Sequence, residues 1–175
     1  MRKLFDYLKL AVLITAILIG VQIPGFVTQY GNNLAARMQE SQLAITAFQH
    51  DADKYFHGDI KHLIAHYAKQ NDPVIVSAGE NIAALFARNQ RLSAALQEFQ
   101  RAAYSPYLHV MFNPIAEIRQ DVWRNYNYQV LLNASAIAIG VGFGLVVLAG
   151  FELLLSLLWL ICKGIFRPKS IGASS

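Results

Sequence analysis

The chain has 175 residues, 55% of them hydrophobic, a formal net charge of +4 and a mean hydropathy of +0.33. An average soluble domain is only about 45–50% apolar even with glycine counted, so part of this surface is expected to face lipid. The positive charge does not mark a nucleic-acid binder, because between Gly31 and Gln129 nine Lys or Arg are balanced by nine Asp or Glu.

The residual charge sits at the ends, with Arg2, Lys3 and Lys9 against Asp6 at one and Lys163, Arg167 and Lys169 at the other. By the positive-inside rule both termini are predicted to be cytoplasmic, and the segment between the two apolar runs is predicted to be translocated. The organisation expected is a cytoplasmic N-terminus over 1–9, a first transmembrane helix over 10–30 and a periplasmic helical domain over 31–128. A second transmembrane helix over 129–162 and a cytoplasmic tail over 163–175 complete it. The first apolar run, Leu10 to Val27, continues into Val21-Gln22-Ile23-Pro24-Gly25-Phe26 without a small-x-small cleavage site, so it reads as an uncleaved anchor. Phe5 and Tyr7 on one side, Phe26 and Tyr30 on the other, suit the two aromatic belts. Pro24 with Gly25 predicts a kink or local break near the outer end.

Beyond the run, Leu34, Met38, Ile45, Phe48, Ala52 and Tyr55 recur at helical steps, with Ser41 filling the missing position, and Gly58 is the expected stop. Asp59 is a plausible N-cap for a short helix burying Ile60, Leu63, Ile64 and Tyr67. Asn71-Asp72-Pro73 ends that helix and Val74 to Val76 is expected to be extended. A capping box, Ser77-Ala78-Gly79-Glu80, then starts a long helix to about Ala103 that buries Ile82, Leu85, Phe86, Leu92, Leu96 and Phe99. Ser105-Pro106 and Asn113-Pro114 predict two further helix starts with proline at the first helical position, the second carrying Ile115, Ile118 and Val122. Trp123, Tyr126 and Tyr128 suit the outer headgroup region, and the apolar run Val130 to Cys162, with Glu152 its only formal charge, is the second span. The fold class is thus an all-α membrane protein, with two transmembrane helices flanking a periplasmic antiparallel helical domain.

Three stretches, Val21-Gln22-Ile23-Pro24-Gly25-Phe26-Val27-Thr28-Gln29-Tyr30, Tyr55-Phe56-His57-Gly58-Asp59 and Leu63-Ile64-Ala65-His66-Tyr67, carry a family likeness. The chain resembles a proteobacterial family of inner-membrane proteins catalogued as a domain of unknown function, over roughly residues 10 to 100. The resemblance implies a bacterial inner membrane and two spans, and supplies no activity or catalytic residues.

Few polar groups stand where chemistry is expected. His62 and His66 lie four apart on one helix face, but two imidazoles need a third ligand, such as Asp59 or His57, and no glutamate follows His62 as in a zinc protease; no metal or other cofactor is assigned. Nucleophile elbows and phosphate-cradling glycine loops are absent from the sequence, and Cys162 reads as a small apolar residue. Glu152 is the sharper case, because an ionisable group within a span is a functional candidate. With Lys9 level with Lys163 it falls near Gly20, which allows a hydrogen bond with Gln22; a sliding register instead brings it to the inner interface. Ala136, Gly140 and Gly144 form a small-residue face at four-residue steps, suited to close packing near Pro24 of the chain's own first span or to another subunit. These six residues, Gln22, Pro24, Ala136, Gly140, Gly144 and Glu152, are the candidate contacts. The function expected is a non-enzymatic accessory, scaffolding or assembly subunit, partnered by the bilayer and by other integral membrane subunits or itself, with no small-molecule ligand identified. The rivals are a periplasmic ligand sensor, which tails this short would force to signal through another protein, and a periplasmic metal-dependent enzyme.

Overall fold

The computed structural model describes residues 2–126 and 134–165, so Tyr128, the start of the second apolar run at Val130, and the tail charges Arg167 and Lys169 lie outside the described residues. The described residues form six helices: α1 (Arg2–Tyr55), α2 (Ile60–Ala68), α3 (Pro73–Gln100), α4 (Ser105–Phe112), α5 (Ala116–Arg124) and α6 (Ala134–Ile165). The fold is all-α, with no strand among the described residues. Those residues divide into two compact units, 26–126 and 2–25 with 134–165.

The unit over 26–126 is arranged along the second part of α1, whose apolar positions feed two cores. Tyr30 and Leu34 pack with Leu92 and Ala95 of α3 and with Ile115, Ile118 and Val122 at α5. Further along, Ile45 and Ala52 pack with Ile60 and Leu63 of α2. The helical stripe read from the sequence is therefore buried at Leu34, Ser41, Ile45 and Ala52, while its last member, Tyr55, is 63% exposed because the helix ends there. Gly58, at φ +84, closes α1 through its N–H to Ala52 O at 3.0 Å. Asp59 then caps α2 by accepting from the Lys61 and His62 N–H groups.

Three local expectations are corrected. Of the kink or local break expected at Pro24, the break is absent: α1 continues through it. Proline removes only one donor from the ladder, and the flanking Val21, Gly25 and Val27 are buried, so packing carries the helix through. Residues Val74 to Val76 are helical: α3 starts at Pro73, because Asp72 in extended conformation accepts from the Val74 N–H at 2.8 Å. Proline in the first turn needs no donor, so this cap pre-empts the Ser77–Glu80 box. The helix α5 begins at Ala116 rather than Pro114, since Ile115 is held extended (φ −70, ψ 113) with its N–H bonded to Tyr30 Oη.

In the other unit α1 and α6 pack antiparallel through glycine. A Cβ placed on Gly20 would lie 2.9 Å from Gly140 Cα, one on Gly140 would meet Val21 and Ile17, and one on Gly144 would meet Ile17 and Leu13. Approach this close is possible only because no side chain intervenes. Ala136, Gly140 and Gly144 are all buried, whereas Gly142 has nothing within 4 Å of its missing Cβ.

Candidate functional site

The described structure holds two polar arrangements that the fold went out of its way to build, one in each unit. The first is an ion pair between Lys9 Nζ and Glu152 Oε1 at 2.7 Å. It decides between the two registers read from the sequence: Gly20 faces Gly140, Ile17 faces Gly144 and Glu152 reaches Lys9, so the alignment that sets Glu152 level with Gly20 does not hold and the slid one does. Lys9 and Gln22 stand 13 positions apart on α1, about 20 Å at 1.5 Å per residue, so Glu152 is far from the level of Gln22. Gln22 is half-buried and makes its contacts elsewhere. The physical reason is that two apolar helices can slide past one another at little energetic difference until something discrete pins them. Here the pins are the glycine contacts and the one opposite-charge pair.

The second arrangement lies in the core over 26–126. Tyr30 is fully buried and its Oη accepts the Ile115 N–H at 2.9 Å while standing 3.2 Å from His109 Nε2. The direction of the Tyr30 Oη–His109 Nε2 bond is set by which imidazole nitrogen carries the proton, Nε2 or the other ring nitrogen, Nδ1. That atom lies 3.3 Å from Glu98 Oε2, in ion-pair reach though not in hydrogen-bond alignment. Asn113 Nδ2 donates to the same oxygen at 3.2 Å. The rings of Tyr30, Phe99 and His109 also meet, tilted or edge-to-face, with centroids 5.7 to 5.9 Å apart. This network ties α1, α3, α4 and the start of α5 together around groups that are costly to bury unpaired. Beside it Arg37 of α1 bonds Asp121 of α5, which also accepts from Arg124 at 2.6 Å.

These partners are separated by 79, 84 and 143 positions for Tyr30–His109, Arg37–Asp121 and Lys9–Glu152, so no local motif announces them. Tyr30, whose flank position suits the outer aromatic belt, is a core residue. Of the residues singled out by sequence, His62 Nδ1 lies 3.5 Å from Asp59 Oδ2 and His66 Nε2 lies 3.2 Å from Gln70 Nε2, both on an exposed face of α2. Among the described residues no three His, Cys, Asp or Glu gather as a metal set. A groove of about 460 Å³, lined by Phe26, Val110, Arg119, Gln120, Trp123 and Arg124, opens over the first core, with Phe26 edge-on to Trp123 and Tyr126.

A family model described as "Protein of unknown function (DUF2937)" matches residues 4–164. The chain belongs to this family. The DUF2937 match takes in both apolar helices and the helical domain between them, so the two units are parts of one family architecture. No curated protein and no solved structure matches the chain. In this DUF2937 member α1 and α6 are each long and apolar enough to cross a membrane.

Proposed function

We propose that the chain is a two-pass protein of the bacterial inner membrane, with both termini cytoplasmic and a periplasmic helical domain, that serves as a non-enzymatic accessory, scaffolding or assembly subunit of a larger membrane complex. The observation that carries the reading is the division of labour on α6. Its small-residue face is occupied by α1, while Val141, Leu145, Val146, Leu153 and Leu157 on its other faces remain exposed. Such faces are suited to lipid or to further spans, and without a hydrophobic driving force between helices in lipid, association rests on packing of this kind.

Mild-detergent purification of the native protein tests this. A stoichiometric membrane partner is expected to co-purify. A monomer whose helical domain gains thermal stability with a small molecule would overturn the subunit reading in favour of a sensor. Reporter fusions at each terminus test the topology, and an extracytoplasmic signal from either one refutes it.

A further inference from the structure

Beside the first core, α1, α3 and α5 enclose a cleft of about 350 Å³. Its floor is apolar, with Leu92, Ile115 and Ile118 all buried. Its walls carry Arg37 from α1, Arg88 and Arg91 from α3, and Glu117 from α5. Between Gly31 and Gln129 nine basic side chains are balanced by nine acidic ones, yet three basic and one acidic meet here. Arg88 and Arg91 stand three apart on α3, the spacing that makes two side chains neighbours on one helix face.

The cations of the cleft are not equivalent. Arg37 is half-buried and bonded to Asp121, which also accepts from Arg124, so that carboxylate is already shared between two guanidinium groups. Arg88, Arg91 and Glu117 make no ion pair among the described residues. A guanidinium presents its N–H donors as a planar fork that matches a carboxylate or a phosphate bidentately. Two unpaired forks against one unpaired carboxylate leave the walls with a single excess positive charge. A carboxylate ligand neutralises it, whereas a phosphate monoester, at about −1.5 to −2 near neutral pH, overshoots. The floor points the same way, because it rewards a ligand with an apolar body and keeps water from one side of the charges. The size is that of the smaller ligand sites, whose range is roughly 300–1,000 Å³.

We infer that this cleft binds a small organic acid, its carboxylate held by Arg88 and Arg91 and its apolar body resting on Leu92, Ile115 and Ile118. Every residue of the site belongs to the unit over 26–126, so the site does not depend on how α1 meets α6. The inference goes beyond the subunit reading and stands separately from it: a subunit that co-purifies with its partner can also hold an anion, and only a monomeric anion binder contradicts that reading.

The test uses the wild-type full chain in non-ionic detergent at fixed ionic strength. Benzoate is the probe, benzamide its uncharged counterpart, and sulfate an anion without an apolar body. Arginines are modified with phenylglyoxal and the rate at each is followed by peptide mass spectrometry, with the exposed Arg101, outside the cleft, as internal reference. Benzoate is expected to slow modification of Arg88 and Arg91 several-fold relative to Arg101, benzamide to leave the rates unchanged, and sulfate to protect less than benzoate. Glu117→Gln removes the competing carboxylate and should lower the half-protecting benzoate concentration several-fold, a gain that misfolding does not imitate. Rates at Arg88 and Arg91 that benzoate leaves unchanged would show two solvated side chains and overturn the inference. Benzamide or sulfate protecting as well as benzoate would remove the carboxylate or the apolar floor from recognition and overturn it too. Arg88 and Arg91 protected in a co-purified complex before any probe is added, and reactive once the partner is removed, would assign the cleft to an acidic segment of that partner; the organic-acid inference then falls while the subunit reading stands.

Discussion

Replacing Gly140 by alanine asks whether the α1–α6 contact is a built interface or merely two apolar helices in proximity. The added Cβ would lie 2.3 Å from Val21 Cγ2 and 3.1 Å from both Ile17 O and Val21 N, where ordinary contact begins near 3.4 Å. Valine cannot rotate freely out of the way, since β-branching restricts its χ1, and the other two neighbours are backbone. The helices must therefore part by about 1 Å locally, and overpacking of this kind typically destabilises by ~1–3 kcal/mol. Gly142→Ala is the internal control: it sits two positions away with nothing within 4 Å of the new methyl, and removing a glycine from a helix interior stabilises by up to ~1 kcal/mol. The assay is energy transfer between labels near the N-terminal end of α1 and the C-terminal end of α6, followed as SDS is titrated into mild-detergent micelles. Gly140→Ala should shift the midpoint to lower SDS and Gly142→Ala should leave it or raise it. Coincident midpoints for the two variants would refute the packing argument.

Tyr30→Phe leaves the buried Ile115 N–H without its acceptor and should destabilise the helical domain by ~1–3 kcal/mol, read as a lower denaturant midpoint of its near-ultraviolet signal; an unchanged midpoint would show that the network is incidental. Gly58→Ala forces an alanine into φ +84, with an expected loss of ~1–2 kcal/mol, measured by the same unfolding curve. Asp72→Ala should weaken α3 by ~1 kcal/mol while Ser77→Ala does little, because the helix starts at Pro73; hydrogen exchange at the α3 N-terminus separates the two. Glu152→Cys, in a Cys162→Ser background, should react with a membrane-impermeant maleimide from the same side as Lys9→Cys, since the two residues meet at 2.7 Å. Protection of position 152 alone would restore the register in which it lies deep in the bilayer.

Local signals were readable and tertiary ones were not. Gly58 followed by Asp59 marked a helix end and a helix start because a left-handed turn and an N-cap need only neighbouring residues. Ser41 was read in the buried stripe because helical phase alone puts it there, and it is 4% exposed. The face of Ala136, Gly140 and Gly144 was likewise legible, though whether it served this chain or another subunit was not, and it meets α1. At Asp72-Pro73 two caps competed within five residues, and the nearer side-chain acceptor won over the more recognisable box. Tyr30 looked like a belt aromatic because its flank position is all a sequence shows; that its hydroxyl holds the Ile115 N–H depends on a fold bringing together residues 85 positions apart.

The register of α1 on α6 bears on what Glu152 is for. Extending the pairing of Gly20 with Gly140 and Lys9 with Glu152, the apolar stretch of α1 from 10 to 25 lies alongside 136 to 151 of α6. The uncharged stretch of α1 runs from 10 to 36, so the ion pair closes one end of it, and Leu4, Leu8, Leu153 and Leu157, all exposed, continue the apolar surface past the pair. A lone carboxylate at that depth would be expensive, whereas one bonded to a lysine carries no net charge and leaves both long side chains free to reach towards water. Glu152 is thus better understood as the partner that lets Lys9 sit at the boundary of two apolar helices than as an isolated acid awaiting a proton or a substrate. It also pins the helices: a slip of one residue in either direction separates the charges by about 1.5 Å and brings Gly140 out from opposite Val21. Charge pairing and glycine packing thus select the same antiparallel register from opposite ends of the contact.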